Sequence, residues 1–167
     1  MTATEIPARP RNLQEELGKH KPFDLPQEEA YLNLIRTAEQ FSDHFRAFFA
    51  DFGLSQPQYN VLRIVAARGD KGIPSQAIAE DMVTRDPDMT RLVDRLEKAG
   101  LVIRHRCAED RRRIWVRITP EGKNLLRKLD KPLQELLNDQ LGHMSPTSLS
   151  KLSALLFEAR HPGETDA

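Results

Sequence analysis

Apolar residues recur at helical spacing between Gln27 and Asp51, at Tyr31, Leu34, Ile35, Ala38, Phe41, Phe45, Phe48 and Phe49, with Phe52 just beyond. That period predicts one long amphipathic helix. Ahead of it, Pro7, Pro10, Pro22 and Pro26 punctuate the chain and predict an irregular arm with one short helix around Leu13 to Leu17. Gly53 closes the long helix and Ser55 is suited to cap the next, which carries Tyr59, Leu62, Ile64, Val65 and Ala66 and stops at Gly69. A third, shorter helix is expected from about Pro74 to Met82, with Ala77, Ile78 and Met82 facing inward. A fourth starts with Asp86 as N-cap and Pro87 in the first turn, where a missing N–H does no harm. Its Met89, Leu92, Val93 and Leu96 form one stripe, leaving Thr90, Arg91, Asp94, Arg95 and Lys98 on the other side, and Gly100 ends it.

After Gly100 the period changes to two. Leu101–Arg106 and Arg113–Thr119 read as strands, the second placing Ile114, Val116 and Ile118 on one side and Trp115 and Arg117 on the other. Between them lies the polar tip Cys107-Ala108-Glu109-Asp110-Arg111-Arg112, so the pair forms a β-hairpin with an arginine-rich turn. Thr119-Pro120-Glu121 caps a helix running to about Leu141, with Pro132 as a bend point. Ser145-Pro146 caps the last helix, whose apolar positions are Leu149, Leu152, Leu155, Leu156 and Phe157. A short helix, a tight turn, a second helix with a polar outer face and then a basic hairpin is the order of a winged helix-turn-helix. The expected fold is therefore mainly α with a small β-hairpin wing.

Composition narrows the function. The 167 residues suit one domain with appended helices, and no apolar run approaches the ~18 residues needed to span a bilayer. Met1 to Pro10 hold no apolar stretch of the secretory kind, so a cytoplasmic protein without a membrane partner is expected. Cys107 is the only cysteine, which excludes an intrachain disulfide. His20, His44, His105, His143 and His161 lack paired metal-ligand spacing, and no glycine-rich phosphate loop or nucleophile elbow appears. The expectation is no enzyme, no cofactor and no metal. Net charge is zero, yet from Thr84 to Lys128 thirteen Lys or Arg face seven acids, a local +6 inside a −6 remainder. A polyanion-binding face needs such a block, although a solvated patch has the same count, so position has to decide.

Thr90-Arg91-Leu92-Val93-Asp94-Arg95-Leu96-Glu97-Lys98-Ala99-Gly100-Leu101-Val102 resembles the recognition helix and first wing strand of the multiple-antibiotic-resistance regulator (MarR) family. Glu109-Asp110-Arg111-Arg112 with Ile118-Thr119-Pro120-Glu121-Gly122 resembles its wing, and Ser55-Gln56-Pro57-Gln58-Tyr59-Asn60-Val61-Leu62 is similar to its second-helix opening. The resemblance covers roughly Gln27 to Phe157. It implies a homodimer interlocked through terminal helices, and a transcriptional regulator, usually a repressor, on a pseudo-palindromic operator of double-stranded DNA. It also implies release by a small aromatic or phenolic effector, or by cysteine oxidation. The corresponding domain plan is an arm at 1–26, a helical dimerisation region at 27–54 and 120–160, a DNA-binding domain at 55–119 and a disordered tail at 161–167.

The resemblance puts Arg112 into the minor groove, oriented by Asp110. The competing reading is that the two pin the hairpin turn, worth ~0–1 kcal/mol as an exposed pair. Arg111 and Arg113 flank Arg112 and are expected on phosphates. Thr90, Arg91 and Arg95 share the exposed side of the helix that starts at Asp86, the one expected in the major groove, and Ser75 and Gln76 can donate to phosphate. Asp86 and Asp88 depart from the family pattern. Capping explains Asp86, whereas Asp88 can either cap or accept from cytosine N4. Phe41, Phe45 and Tyr59, with His44, either line an effector pocket or pack as core. Cys107 lies in the wing, away from the position of the family's oxidation-sensing cysteine, so a spectator thiol is the expectation and a redox switch the alternative. A winged helix that binds only protein is the other alternative.

Overall fold

The computed structural model describes residues 11–84, 88–106 and 114–163, and the chain divides into two compact units, residues 1–48 and 49–167. In the first unit Asn12 caps a single-turn helix, α1 (Leu13–Glu16), its side chain accepting the Glu15 N–H at 2.9 Å. The long helix α2 (Pro26–Asp51) starts one residue earlier than its periodicity predicts, at a proline whose fixed φ suits a first turn. Arg36 Nε meets Glu16 Oε2 at 2.8 Å, tying α1 to α2, and Lys19 Nζ lies 4.0 Å from the Phe23 ring centroid. Tyr31, Leu34 and Ile35 remain exposed along α2.

The second unit contains α3 (Gln56–Ala67), β1 (Ile73–Pro74), α4 (Ser75–Glu80), α5 (Met89–Lys98), β2 (Val102–Arg106), β3 (Ile114–Ile118), α6 (Pro120–Leu141) and α7 (Pro146–Arg160). The strands form one antiparallel sheet in the order β1-β3-β2, with Val116 opposite Ile73 on one side and Arg104 on the other. α3 is central, touching α5, β3 and α6. Its Val61, Leu62 and Val65 are fully buried, as are Phe49, Ile78, Val93, Leu96, Val102, Val116 and Leu129. The helix starts follow from side-chain caps. Ser55 and Gln58 make a reciprocal capping box, and the Thr119 and Ser145 hydroxyls accept the Gly122 and Ser148 N–H groups. Pro132 is carried inside α6. Among the described residues no helix is long and apolar enough to cross a membrane.

Three elements depart from the sequence reading. Ile73–Pro74 is a strand, which delays α4 to Ser75, and that helix stops at Glu80 rather than Met82. The strand needs Gly72, whose φ of +77° and lack of a Cβ let the chain pass close to the Val116 carbonyl. The N-cap of α5 is Asp88 in place of Asp86: its carboxylate reaches the Arg91 N–H at 3.1 Å, which starts the helix at Met89. Residues 85–87, Asp86 among them, lie outside the described residues. Third, the first wing strand begins at Val102 rather than Leu101, the second ends at Ile118 rather than Thr119, and Ile114 is exposed although it shares a side with the buried Val116 and Ile118.

Candidate nucleic-acid interface

α5 is held by one buried stripe, Leu92, Val93 and Leu96, which leaves Thr90, Arg91, Arg95 and Lys98 exposed. Asp88 satisfies a first-turn N–H and pairs with Arg91 Nε at 3.2 Å. The Arg91 side chain stays 71% exposed in that pair, and such pairs contribute only ~0–1 kcal/mol, so a phosphate can replace the carboxylate cheaply. Ser75 and Gln76 open α4, and with Met89, Thr90, Val93, Arg104 and others they border one cleft of about 290 Å³. Donors from α4 and α5 that are fifteen residues apart in sequence thus face one space. Arg91 and Arg95 lie one turn apart on the same helix.

Arg104 was not singled out by sequence reasoning, and it joins the wing to this helix. From β2 its Nη1 meets Asp94 Oδ1 at 2.5 Å and Glu97 Oε2 at 3.1 Å, Nη2 donates to the Thr90 carbonyl at 3.3 Å, and its backbone N–H donates to Glu97 Oε1 at 3.0 Å. The usable signal was the pair of acids on the wing-facing flank of α5, followed by an arginine on the inward side of the next strand. Thr119 forms a second joint. Its buried hydroxyl donates to the Gly100 carbonyl at 2.7 Å, with the Leu101 carbonyl at 3.0 Å as the other acceptor, and accepts the Gly122 N–H at 3.0 Å. The end of α5, the start of β2, the end of β3 and the start of α6 meet there. The ladder between β2 and β3 is described up to Arg106 opposite Ile114. Cys107, Asp110, Arg111, Arg112 and Arg113 lie outside the described residues.

The residues considered for an effector pocket divide between the units. Phe41 and Phe45 are half-buried on α2 of the first unit, with His44 exposed between them. In the second unit the Tyr59 ring stacks on Phe49 at 4.6 Å and its oxygen accepts from Arg63 Nε at 2.8 Å, while Arg63 also pairs with Asp130 of α6. Burial pulls the Arg63 guanidinium down, but the bonds to Tyr59 and Asp130 together outweigh it and hold its pKa above the usual value. Tyr59 therefore takes part in the strut between α3 and α6. Among the described residues no three His, Cys, Asp or Glu side chains cluster as metal ligands would.

Residues 54–114, from just before α3 to the first residue of β3, match the model of the MarR family. The HTH-type transcriptional regulator FarR of Neisseria gonorrhoeae is 29% identical over 104 residues, 62% of this chain and 70% of the relative. A MarR transcription factor from Planctomyces limnophilus is 38% identical, with a TM-score of 0.65, over 81% of this chain and 98% of that one. A MarR family regulator from Streptomyces coelicolor, solved in complex with DNA, is 25% identical with a TM-score of 0.70, over 88% and 96% of the two chains. With the helices α4 and α5 and the three-stranded sheet described above, the chain belongs to the MarR family of winged-helix DNA-binding transcriptional regulators, which are not enzymes.

Proposed function

We propose that the protein is a homodimeric repressor that binds a pseudo-palindromic operator, with α5 in the major groove and the wing along the flanking minor groove. The observation that carries this reading is the cleft where Ser75, Gln76 and Thr90 converge beside the exposed Arg91 and Arg95. Hydroxyl and amide donors fix register on phosphates, while a guanidinium at the helix surface can read guanine O6 and N7. The +6 block from Thr84 to Lys128 supplies the charge. Arg111, Arg112 and Arg113 extend it into the wing, with Asp110 orienting Arg112. The Streptomyces coelicolor relative, solved in complex with DNA, supports DNA as the partner. Asp88 acts in this reading as the cap of α5, and its carboxylate yields Arg91 to the DNA.

The exposed Tyr31, Leu34 and Ile35 of α2, and the exposed Leu152, Leu155 and Phe157 of α7, are the surfaces a second copy would cover, which fits residues 27–54 and 120–160 as the dimerisation region and 55–119 as the DNA-binding domain. Candidate contacts for a small aromatic effector are Phe41, His44 and Phe45 in the first unit and, separately, Tyr59 in the second. The effector's route to the DNA-binding domain is the Tyr59–Arg63–Asp130 strut, which a ligand on Tyr59 would disturb.

The test is fluorescence anisotropy with a duplex from the gene's own upstream region and a scrambled control, at two salt concentrations. The reading expects the native duplex to bind ~10³-fold or more tighter than the control. It also expects log K to fall against log salt with a slope near −0.9 per phosphate neutralised. Equal, weak binding of every duplex, including the best one selected from a randomised pool, overturns it.

A further inference from the structure

We infer that Arg104 is a positioning residue for sequence reading: it sets the spacing between the recognition helix and the wing without itself touching DNA. The inference rests on the DNA-binding reading above. α5 is only ten residues long and is held to the core by one stripe, Leu92, Val93 and Leu96. A small rotation or tilt moves Thr90, Arg91 and Arg95 relative to base edges, so a contact on the flank adds to what that stripe fixes. Arg104 is the described side chain placed to do so. One planar guanidinium spans Asp94, Glu97 and the Thr90 carbonyl, nearly two turns of helix, and the Arg104 N–H adds a second bond to Glu97. Its side chain borders the same cleft but is only 25% exposed, with Nη1 held by two carboxylates and Nη2 by the Thr90 carbonyl, so it is a poorer phosphate contact than the exposed Arg91 and Arg95.

The same geometry reaches outward along the wing. Arg104 lies two residues before the end of β2 and is paired in register with the buried Val116, so the strand that leads to the wing tip is fixed to α5 at this point. A winged helix engages two grooves at once, and the separation between its two reading elements must match that of the duplex. A second consequence is electrostatic. Asp94 and Glu97 would repel phosphate if left unpaired, and Arg104 offsets one of their two charges from within the protein.

The experiment compares wild type, Arg104→Ala, Arg104→Lys and the triple variant Arg104→Ala/Asp94→Asn/Glu97→Gln. Each is titrated by anisotropy against the duplex that wild type enriches most from a randomised pool and against a scrambled duplex, over a salt series. Failure of wild type to discriminate condemns the DNA-binding reading itself and is thereby distinguished from failure of this inference. With wild type discriminating, Arg104→Ala is expected to lose about tenfold or more of the ratio between the two duplexes, the scale of one misread base pair, and the triple variant, which leaves no acid unpaired, is expected to keep the wild-type salt slope. Arg104→Lys should recover part of the ratio, since a compact ammonium keeps the charge but lacks the planar fork that reaches acceptors nearly two turns apart. The triple variant should stay defective, because removing the acids relieves repulsion but does not restore the tether. A uniform loss on both duplexes with a slope smaller by about 0.9 that persists in the triple variant makes Arg104 a phosphate contact and overturns the inference. So does an unchanged ratio in Arg104→Ala, or full recovery in the triple variant. Should Arg104→Ala fail to fold, the Lys variant alone decides, by retaining or losing discrimination at an unchanged slope.

Discussion

Replacing Thr119 by valine keeps the shape of the side chain and deletes one hydroxyl at the joint of four elements. The cap to the Gly122 N–H, 3.0 Å long, is lost, and substitutions of that kind cost about 1 kcal/mol. The bond donated to the Gly100 carbonyl at 2.7 Å goes with it, for about 1 kcal/mol more. Thr119 is 8% exposed and the Gly122 side of the joint is buried, so water replaces the lost partners poorly and the total should reach ~2–3 kcal/mol. In a chain of this size each kcal/mol lowers the melting temperature by roughly 2–4 °C, which gives a drop of about 5–10 °C. The assay is thermal denaturation by circular dichroism at one fixed protomer concentration, because self-association would otherwise shift the midpoint by mass action. Thr119→Ser retains both bonds and should lie within about 1 kcal/mol of wild type. If the valine variant melts with wild type while the serine variant does not, the hydroxyl is not what holds the joint.

Gly72→Ala should be the more damaging change. A Cβ there would lie 2.6 Å from the Val116 carbonyl oxygen at a φ of +77°, so β1 must leave β3, and a loss of roughly 2–4 kcal/mol in urea denaturation is expected. A neutral result would show that β1 can shift without strain. The Lys123 Nζ donates to Asp70 at 3.0 Å, and this bond, with the lysine charge, holds the Asp70 carboxyl below the usual carboxylate range. A carboxylate depressed in the folded state stabilises above its unfolded pKa and loses that contribution as pH falls through the lower folded value. The difference in denaturation midpoint between wild type and Asp70→Asn should therefore shrink on acidification, and a difference that grows would contradict the assignment.

The caps and breaks were the most legible part of the chain. Ser55, Thr119 and Ser145 each sit at a helix start, and the periodic stripe Leu92, Val93, Leu96 is buried as its spacing predicts. Periodicity works there because one element decides its own burial. It failed at Ile73–Pro74, where two residues become a strand only because β3 lies alongside and Gly72 allows the approach. The start of α5 was misread for a related reason: Asp86 and Asp88 are equally good caps by residue type, and only the backbone path decides which reaches a free N–H. Arg104 was counted as one charge of a basic block, since a sequence does not say which cations are already spent on acids of the same domain.

That last point changes how the charge asymmetry should be understood. Of the thirteen cations between Thr84 and Lys128, Arg104 is committed to Asp94 and Glu97, Lys123 to Asp70 and Arg91 in part to Asp88. The acids paired with Arg104 and Arg91 are already subtracted in the local +6, so only Asp70, paired with Lys123 from outside the segment, weakens the field offered to DNA further, and the rest of the molecule carries the compensating −6. Phosphate attraction without sequence preference scales with the number of charges neutralised, so a zero-net-charge chain holds non-specific binding low. Discrimination must then come from geometry: the buried stripe sets the depth of α5, Arg104 its flank and Thr119 its junction with β2 and α6. Weakening any of these three should degrade the ratio between right and wrong sequences sooner than it degrades binding as such, whereas loss of an arginine that contacts only phosphate should lower affinity for both.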